Sequence, residues 1–273
     1  MSYAALMVHF DAGPNARKRA QLAADLAGRF GAALIGIAGR AYLPSFLADG
    51  LAVGSEGNDA EQHEMMALLA DMDKKFRALA RHVKHVEWRG TVDYAINLVP
   101  LEARAADLII VGRKQDPGDL YFSLDPGVTV LRAGRPVLVV PDEIDSLPSR
   151  RVVVAWKDTR EARRAVRDAL PFLKEAKEVM IVTVCEHDTE TQAQKQIDDI
   201  GNWLLRHKVI VGVRAYLHTK RPVAAELLRF AEDEKANLIV AGGYGHSRFG
   251  EWMFGGVTHD LLSDSPVCCL FSH

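Results

Sequence analysis

Sliding the sequence against itself by 130 residues lays positions 83–140 on 213–270 without a gap. Val83 meets Val213, Ala95 meets Ala225, Leu98 meets Leu228, Ala106 meets Ala236 and Leu108-Ile109 meets Leu238-Ile239. Further on, Gly112 meets Gly242, Leu131 meets Leu261 and Pro136-Val137 meets Pro266-Val267. A shorter match at an offset of 146 pairs Leu6 to Phe10 with Val152 to Trp156. A chain that repeats itself must build the same unit twice, and 273 residues suffice for two units that each bury a core. The link from Pro141 to Pro148 divides them, giving expected domains at 1–145 and 150–273. The first copy's surplus falls in Ala41 to Asn58, whose Gly, Ser, Asp and Pro content predicts a loop.

Within each copy, short apolar runs alternate with helical patterns. The expected strands are Ala5–Phe10, Ala33–Ala38, Val83–Trp88, Leu108–Val111 and Val137–Val140, then Arg151–Trp156, Val179–Cys185, Val211–Leu217, Leu238–Ala241 and Val267–Phe271. Continuous apolar runs suit parallel strands covered on both faces. After the sixth run, Ala162, Ala165, Val166, Ala169, Leu170 and Leu173 recur at helical spacing, with Thr159 as N-cap. Pro222 opens another helix at its first position. The alternation predicts an α/β chain of two tandem doubly wound, five-stranded parallel-sheet domains, Rossmann-like, with ligands beyond the strands' carboxyl ends.

The rest of the composition mostly excludes. The net charge is −2 and the basic residues are scattered among acids, so nucleic acid is not expected as a partner. No apolar stretch approaches a membrane span and the N-terminus carries no basic leader pattern, which points to the cytoplasm. Cys185, Cys268 and Cys269 lie in apolar runs and read as small core residues rather than disulfides or metal ligands.

The chemistry is concentrated at 242–258. Gly242 and Gly245 follow the run Leu238 to Ala241, and Gly255-Gly256 precede the helical pattern that starts Val257-Thr258. Glycines at a strand's end and at a helix's start leave backbone N–H groups free to converge on an anion. At the corresponding places the first copy has Gly112, then Gln115, Asp125, Pro126 and Val128. A proline lacks the N–H and an aspartate brings negative charge, so this loop is not expected to hold phosphate. Its segments Asp116 to Asp119 and Asp125-Pro126-Gly127 are expected to form turns packed on the other half, with an interaction surface as the alternative.

The spacing G-x2-G-x9-G at Gly242, Gly245 and Gly255 resembles the nucleotide-binding signature of the universal stress protein family. The likeness extends over nearly the whole chain, as a tandem member that imitates the family's usual dimer. The resemblance implies an adenine-nucleotide-binding fold, with one nucleotide, ATP or AMP or ADP, with or without Mg2+, in the second domain. Phosphates would lie over Gly242, Gly245, Gly255 and Gly256, with Val257 and Thr258 adding helix N–H groups and a hydroxyl, and His246 and Arg248 at the mouth. Adenine would pack by Ala155, Trp156 and Val184. Two positions depart from the pattern. Gly256 stands where the family has Ser or Thr, and Lys157 stands where an acid approaches the ribose. Lys157 could reach phosphate instead or pair with Asp158. The resemblance also implies that the two fifth strands join antiparallel about a pseudo-twofold axis, with a further homodimer through helical faces left open.

The implied role is a stress-linked sensor or regulator with at most slow ATP hydrolysis, since no general base or acidic Mg2+ ligand set surrounds the loop. Two other readings stay open: an interaction module that binds no nucleotide, and a hydrolase or ligase-like enzyme of the same fold. His82 with His85, and His246 with Ser247 and Asp260, match no metal or nucleophile motif. Trp203, Trp252 and Phe254 read as packing residues.

Overall fold

The structure is a computed structural model that describes residues 2–11, 13, 15–41, 59–113, 124–186, 189–218, 221–245 and 256–273. The first half runs β1 (Ala5–His9), α1 (Ala16–Phe30), β2 (Ala33–Gly39), α2 (Asp59–Leu79), β3 (Val86–Thr91), α3 (Ala95–Glu102), β4 (Leu108–Gly112), α4 (Pro126–Arg132) and β5 (Val137–Val140). The second runs β6 (Arg151–Ala155), α5 (Arg160–Asp168), α6 (Leu170–Glu175), β7 (Glu178–Cys185), α7 (Glu190–Arg206), β8 (Val211–His218), α8 (Val223–Asp233), β9 (Leu238–Gly242), α9 (Gly256–Asp264) and β10 (Cys268–Ser272).

All ten strands form one sheet in the order β3-β2-β1-β4-β5-β10-β9-β6-β7-β8. Each half is parallel throughout and doubly wound about β1 and β4 or about β6 and β9, so each half has its own switch point. The halves meet where β5 and β10 pair antiparallel, Cys269 opposite Val139 and Phe271 opposite Val137. Alternation along the strands sends Leu6, Val8, Val152 and Val154 to the layer of α1, α5 and α7, and Met7, Val153, Ile109 and Ile239 to the opposite layer. Burial on both faces explains why these strands read as unbroken apolar runs.

Several expectations need correction. The gapless match fails at both ends. Ile35 pairs Glu87 and its counterpart Met180 pairs Val213, so Glu87, not Val83, corresponds to Val213. Val83 is buried in the turn before β3, donating its N–H to Ala80 O, which moves the strand from the expected Val83–Trp88 to Val86–Thr91. Ile109 pairs Val137 but Ile239 pairs Cys269, so Cys269, not Val267, corresponds to Val137, and β10 runs Cys268–Ser272 rather than Val267–Phe271. The helix expected through Ala162 and Leu173 is two helices, because Pro171 cannot donate within a continuous ladder and starts α6 afresh. Pro222 is the N-cap of α8 rather than its first residue. Cys268 and Cys269 are core residues, whereas Cys185, at the end of β7, is only half-buried. The Ala41–Asn58 loop and the Asp116–Asp119 turn lie almost wholly outside the described residues.

Candidate functional site

β6, β7 and β9 end together at the second half's switch point, under the N-terminus of α9, and a cavity of about 390 Å3 opens there. Ala155, Trp156 and Lys157 border it from the end of β6, and Val184 from β7. Gly242 and Gly245 form its far side, and Gly256, Val257 and Thr258 descend into it from the first turn of α9. His246, Gly255, Arg248, Trp252 and Phe254 lie outside the described residues. The apolar floor comes from Val182, Leu227, Ala241 and Leu261, which the sequence reading did not single out. They belong to the core stripes of their own elements, and nothing in the sequence separates a stripe residue under a cavity from one under a helix.

Two glycines have different reasons to be glycine. A Cβ on Gly242 would stand 2.6 Å from Ala162 N, so β9 and the start of α5 approach more closely than any side chain permits. A Cβ on Gly256 meets no described atom within 4 Å, and Gly256 borders the cavity. Between them Tyr244 adopts a left-handed φ of 56°, turning the chain so that its N–H donates to Thr258 Oγ1 at 3.2 Å. The Thr258 hydroxyl, expected to face phosphate, therefore accepts from the loop, and the residue is buried.

The Tyr244 ring crosses into the first half. A Cβ on Gly127 would lie 2.3 Å from its hydroxyl oxygen, and burial, with the Asp125 carboxylate, pushes the phenol up to about 12. Asp125-Pro126-Gly127 is thus packed on the other half, but as the N-cap and first residues of α4 rather than as a separate turn. There the Asp125 carboxylate accepts from Val128 N at 2.9 Å, so the first turn of α4 is capped by its own acid.

Glu161 is the functional candidate the sequence concealed. Its Oε2 lies 3.0 Å from where a Cβ on Gly245 would stand, and Glu161 is 2% exposed. Burial raises its pKa, but hydrogen bonds from Arg160, from its own N–H and from Thr159, with the Arg160 charge, outweigh that and hold the carboxylate below its ordinary range. Thr159 caps α5 through Oγ1, accepting from Ala162 N at 3.2 Å, as the sequence predicts. Lys157 is exposed at the rim, and Asp158 pairs not with it but with Arg163 at 2.6 Å. Among the described residues no group of three or more His, Cys, Asp or Glu is placed to hold a metal.

The family model for the universal stress protein family matches residues 2–141 and again 148–272. The chain belongs to the universal stress protein family. Among solved structures, a universal stress protein from Archaeoglobus fulgidus DSM 4304 aligns over 97% of this chain and 97% of its own, with TM-score 0.70 and 16% identity. A functionally unknown protein from Pseudomonas aeruginosa PAO1 aligns over 98% of this chain and 92% of its own, with TM-score 0.59 and 13% identity. A universal stress protein in complex with cAMP aligns with 52% of this chain and 100% of its own, at TM-score 0.37 and 21% identity. No curated protein matches this universal stress protein in sequence. No helix among its described residues is long and apolar enough to cross a membrane.

Proposed function

We propose that this universal stress protein binds one adenine nucleotide, ATP or AMP or ADP, in its second half and acts in the cytoplasm as a stress-linked sensor or regulator. The observation that carries the reading is convergence. Residues from the ends of β6, β7 and β9 and from the start of α9, named from the glycine spacing and from what the family resemblance implies, line one cavity with an apolar floor and a helix N-terminus at its other end. An adenine ring suits the floor between Ala155, Val184 and Leu227, and phosphates suit the N-terminus of α9 at Gly256 and Val257. Lys157 is exposed at the rim and, among the described residues, Asp158 pairs with Arg163 instead, which leaves Lys157 placed to reach a phosphate.

The first half supports a single site, since Asp125 already occupies the N-terminus of α4 and Pro126 removes an N–H. No carboxylate borders this cavity among the described residues, so Mg2+ carried on the phosphates would draw its ligands from them and from water. Because Glu161 is committed to Arg160 and the start of α5, hydrolysis would be slow at most. The same buried acid favours the rival reading, an interaction module without nucleotide, because it sets a negative charge beside the turn at Gly245. Denaturing the purified chain and identifying what it releases separates the two. Adenine nucleotide near one equivalent supports the proposal, and a chain that carries none and takes up none when supplied contradicts it.

A further inference from the structure

The second half contains another cavity, on the opposite face of the sheet from the glycine loop. It measures about 420 Å3 and lies between α5 and α7, bordered by Trp156, Ile200 and Trp203. Trp156 belongs with Val152 and Val154 to the core layer on this face. It is 6% exposed, and its Nε1 is buried without an acceptor among the described residues. A buried donor left unpaired is costly, and few native groups are left so.

The first half surrounds the equivalent position with rings. Phe10, the counterpart of Trp156, packs against Phe76 at 5.6 Å and Trp88 at 6.1 Å, and Phe76 and Trp88 also meet at 5.6 Å. Gly36 makes room for that cluster, since a Cβ there would stand 2.6 Å from the Phe76 ring. In the second half the sheet residues beneath differ. Gly36 pairs Trp88 and Ile181 pairs Arg214, so Ile181 replaces the glycine and Arg214 replaces the tryptophan. Arg214 reaches away to Asp198 at 3.0 Å, across Gly201 of α7. Trp156 therefore lacks the neighbouring sheet ring that Phe10 has in Trp88, and it borders the cavity instead.

The rim carries charge of both signs. Arg163 is spent on Asp158, but Arg167 from α5 and Asp199 from α7 make no hydrogen bond or ion pair among the described residues. We propose that this cleft is a second ligand site, which takes a small aromatic zwitterion with the chemistry of an aromatic amino acid. Its ring packs between Trp156, Ile200 and Trp203 and restores the missing aromatic contact. Its carboxylate meets Arg167 and its ammonium meets Asp199, and an acceptor on the ligand satisfies the Trp156 N–H. The volume lies within the range of small-molecule sites. The proposal stands independently of nucleotide binding, although Trp156 borders both cavities and could couple them.

The test uses the full chain labelled with 15N and probed with L-tryptophan, indole-3-propionate and tryptamine. The indole N–H signal of Trp156, identified by its loss in Trp156→Phe, should shift saturably with one equivalent of L-tryptophan. Each analogue, lacking one charge, should bind at least threefold more weakly. Arg167→Ala should abolish the preference over tryptamine, and Asp199→Ala the preference over indole-3-propionate; both sites are on the surface and should leave the fold intact. A Trp156 signal that no probe moves, an affinity unchanged in both variants, or shifts centred on the amides of Gly242 and Gly256 would overturn the proposal.

Discussion

Leu138 and Leu270 face one another across the β5–β10 junction, and each is the other's counterpart in the duplicated unit. Leu138 pairs Ile110 and Leu270 pairs Val240, which are equivalent positions, and the two leucines then pair together. The pseudo-twofold axis therefore passes through this pair, and both residues are fully buried. A single chain has closed the isologous contact that a symmetric dimer makes between two chains, and has covered two strand edges that would otherwise invite aggregation.

Val139 and Cys269 are direct partners in that junction, 3% and 1% exposed. Val139→Asp combined with Cys269→Asp would bury two like charges opposite one another, costing more than about 4 kcal/mol, the range of severe single lesions. Calorimetry should then show the halves melting as separate, lower transitions. One cooperative transition at the original temperature would contradict the junction's role.

Gly242 and Gly256 should respond in opposite ways. Gly242→Ala forces β9 from α5 and should lower stability by about 1–3 kcal/mol, read from urea midpoints. Gly256→Ser enters open space, should leave the midpoint unchanged, and should tighten nucleotide binding about tenfold by adding a hydroxyl beside phosphate.

His9 predicts a pH dependence. It is buried near Asp11, while Arg19 donates to His9 O at 2.9 Å and to Asp11 at 2.7 Å. Burial lowers the imidazole pKa to about 4, against a partial upward pull from Asp11. A histidine that takes its proton more readily when unfolded destabilises the fold as pH falls from its unfolded value toward 4, here by on the order of 3 kcal/mol at most. Urea midpoints should drop between pH 6.5 and 4, the ordinary and buried values, and His9→Gln should flatten the drop.

Glu161 offers a charge test. Glu161→Gln removes negative charge beside the Gly245 turn, so affinity for ATP without Mg2+ should rise severalfold while affinity for adenosine stays constant. Equal effects on both ligands would show that the carboxylate acts through packing alone.

Most strands were legible because burial on both faces writes itself as apolar runs, and the glycine signature located the cavity because its reason is local backbone geometry. β3 was misplaced because it is an edge strand whose Glu87 and Arg89 are polar, so the apolar match fell on Val83 in the turn before it. Glu161 was invisible for a different reason. An acid in a helix's first turn reads as a solvated charge on the dipole, and only the structure brings Gly242 and Gly245 against it. The break at Ala169 was readable in principle from Pro171, but the apolar period ran unbroken through it.

Titration of the nucleotide-free chain with ATP, followed by calorimetry, tests the central claim most directly. The account predicts saturation at one equivalent per chain. It also predicts that Gly245→Val, whose side chain must enter the space of Glu161 and Thr159 at the mouth, weakens binding at least tenfold while circular dichroism stays native. Two equivalents, or an affinity that the folded Gly245→Val variant leaves unchanged, would contradict it.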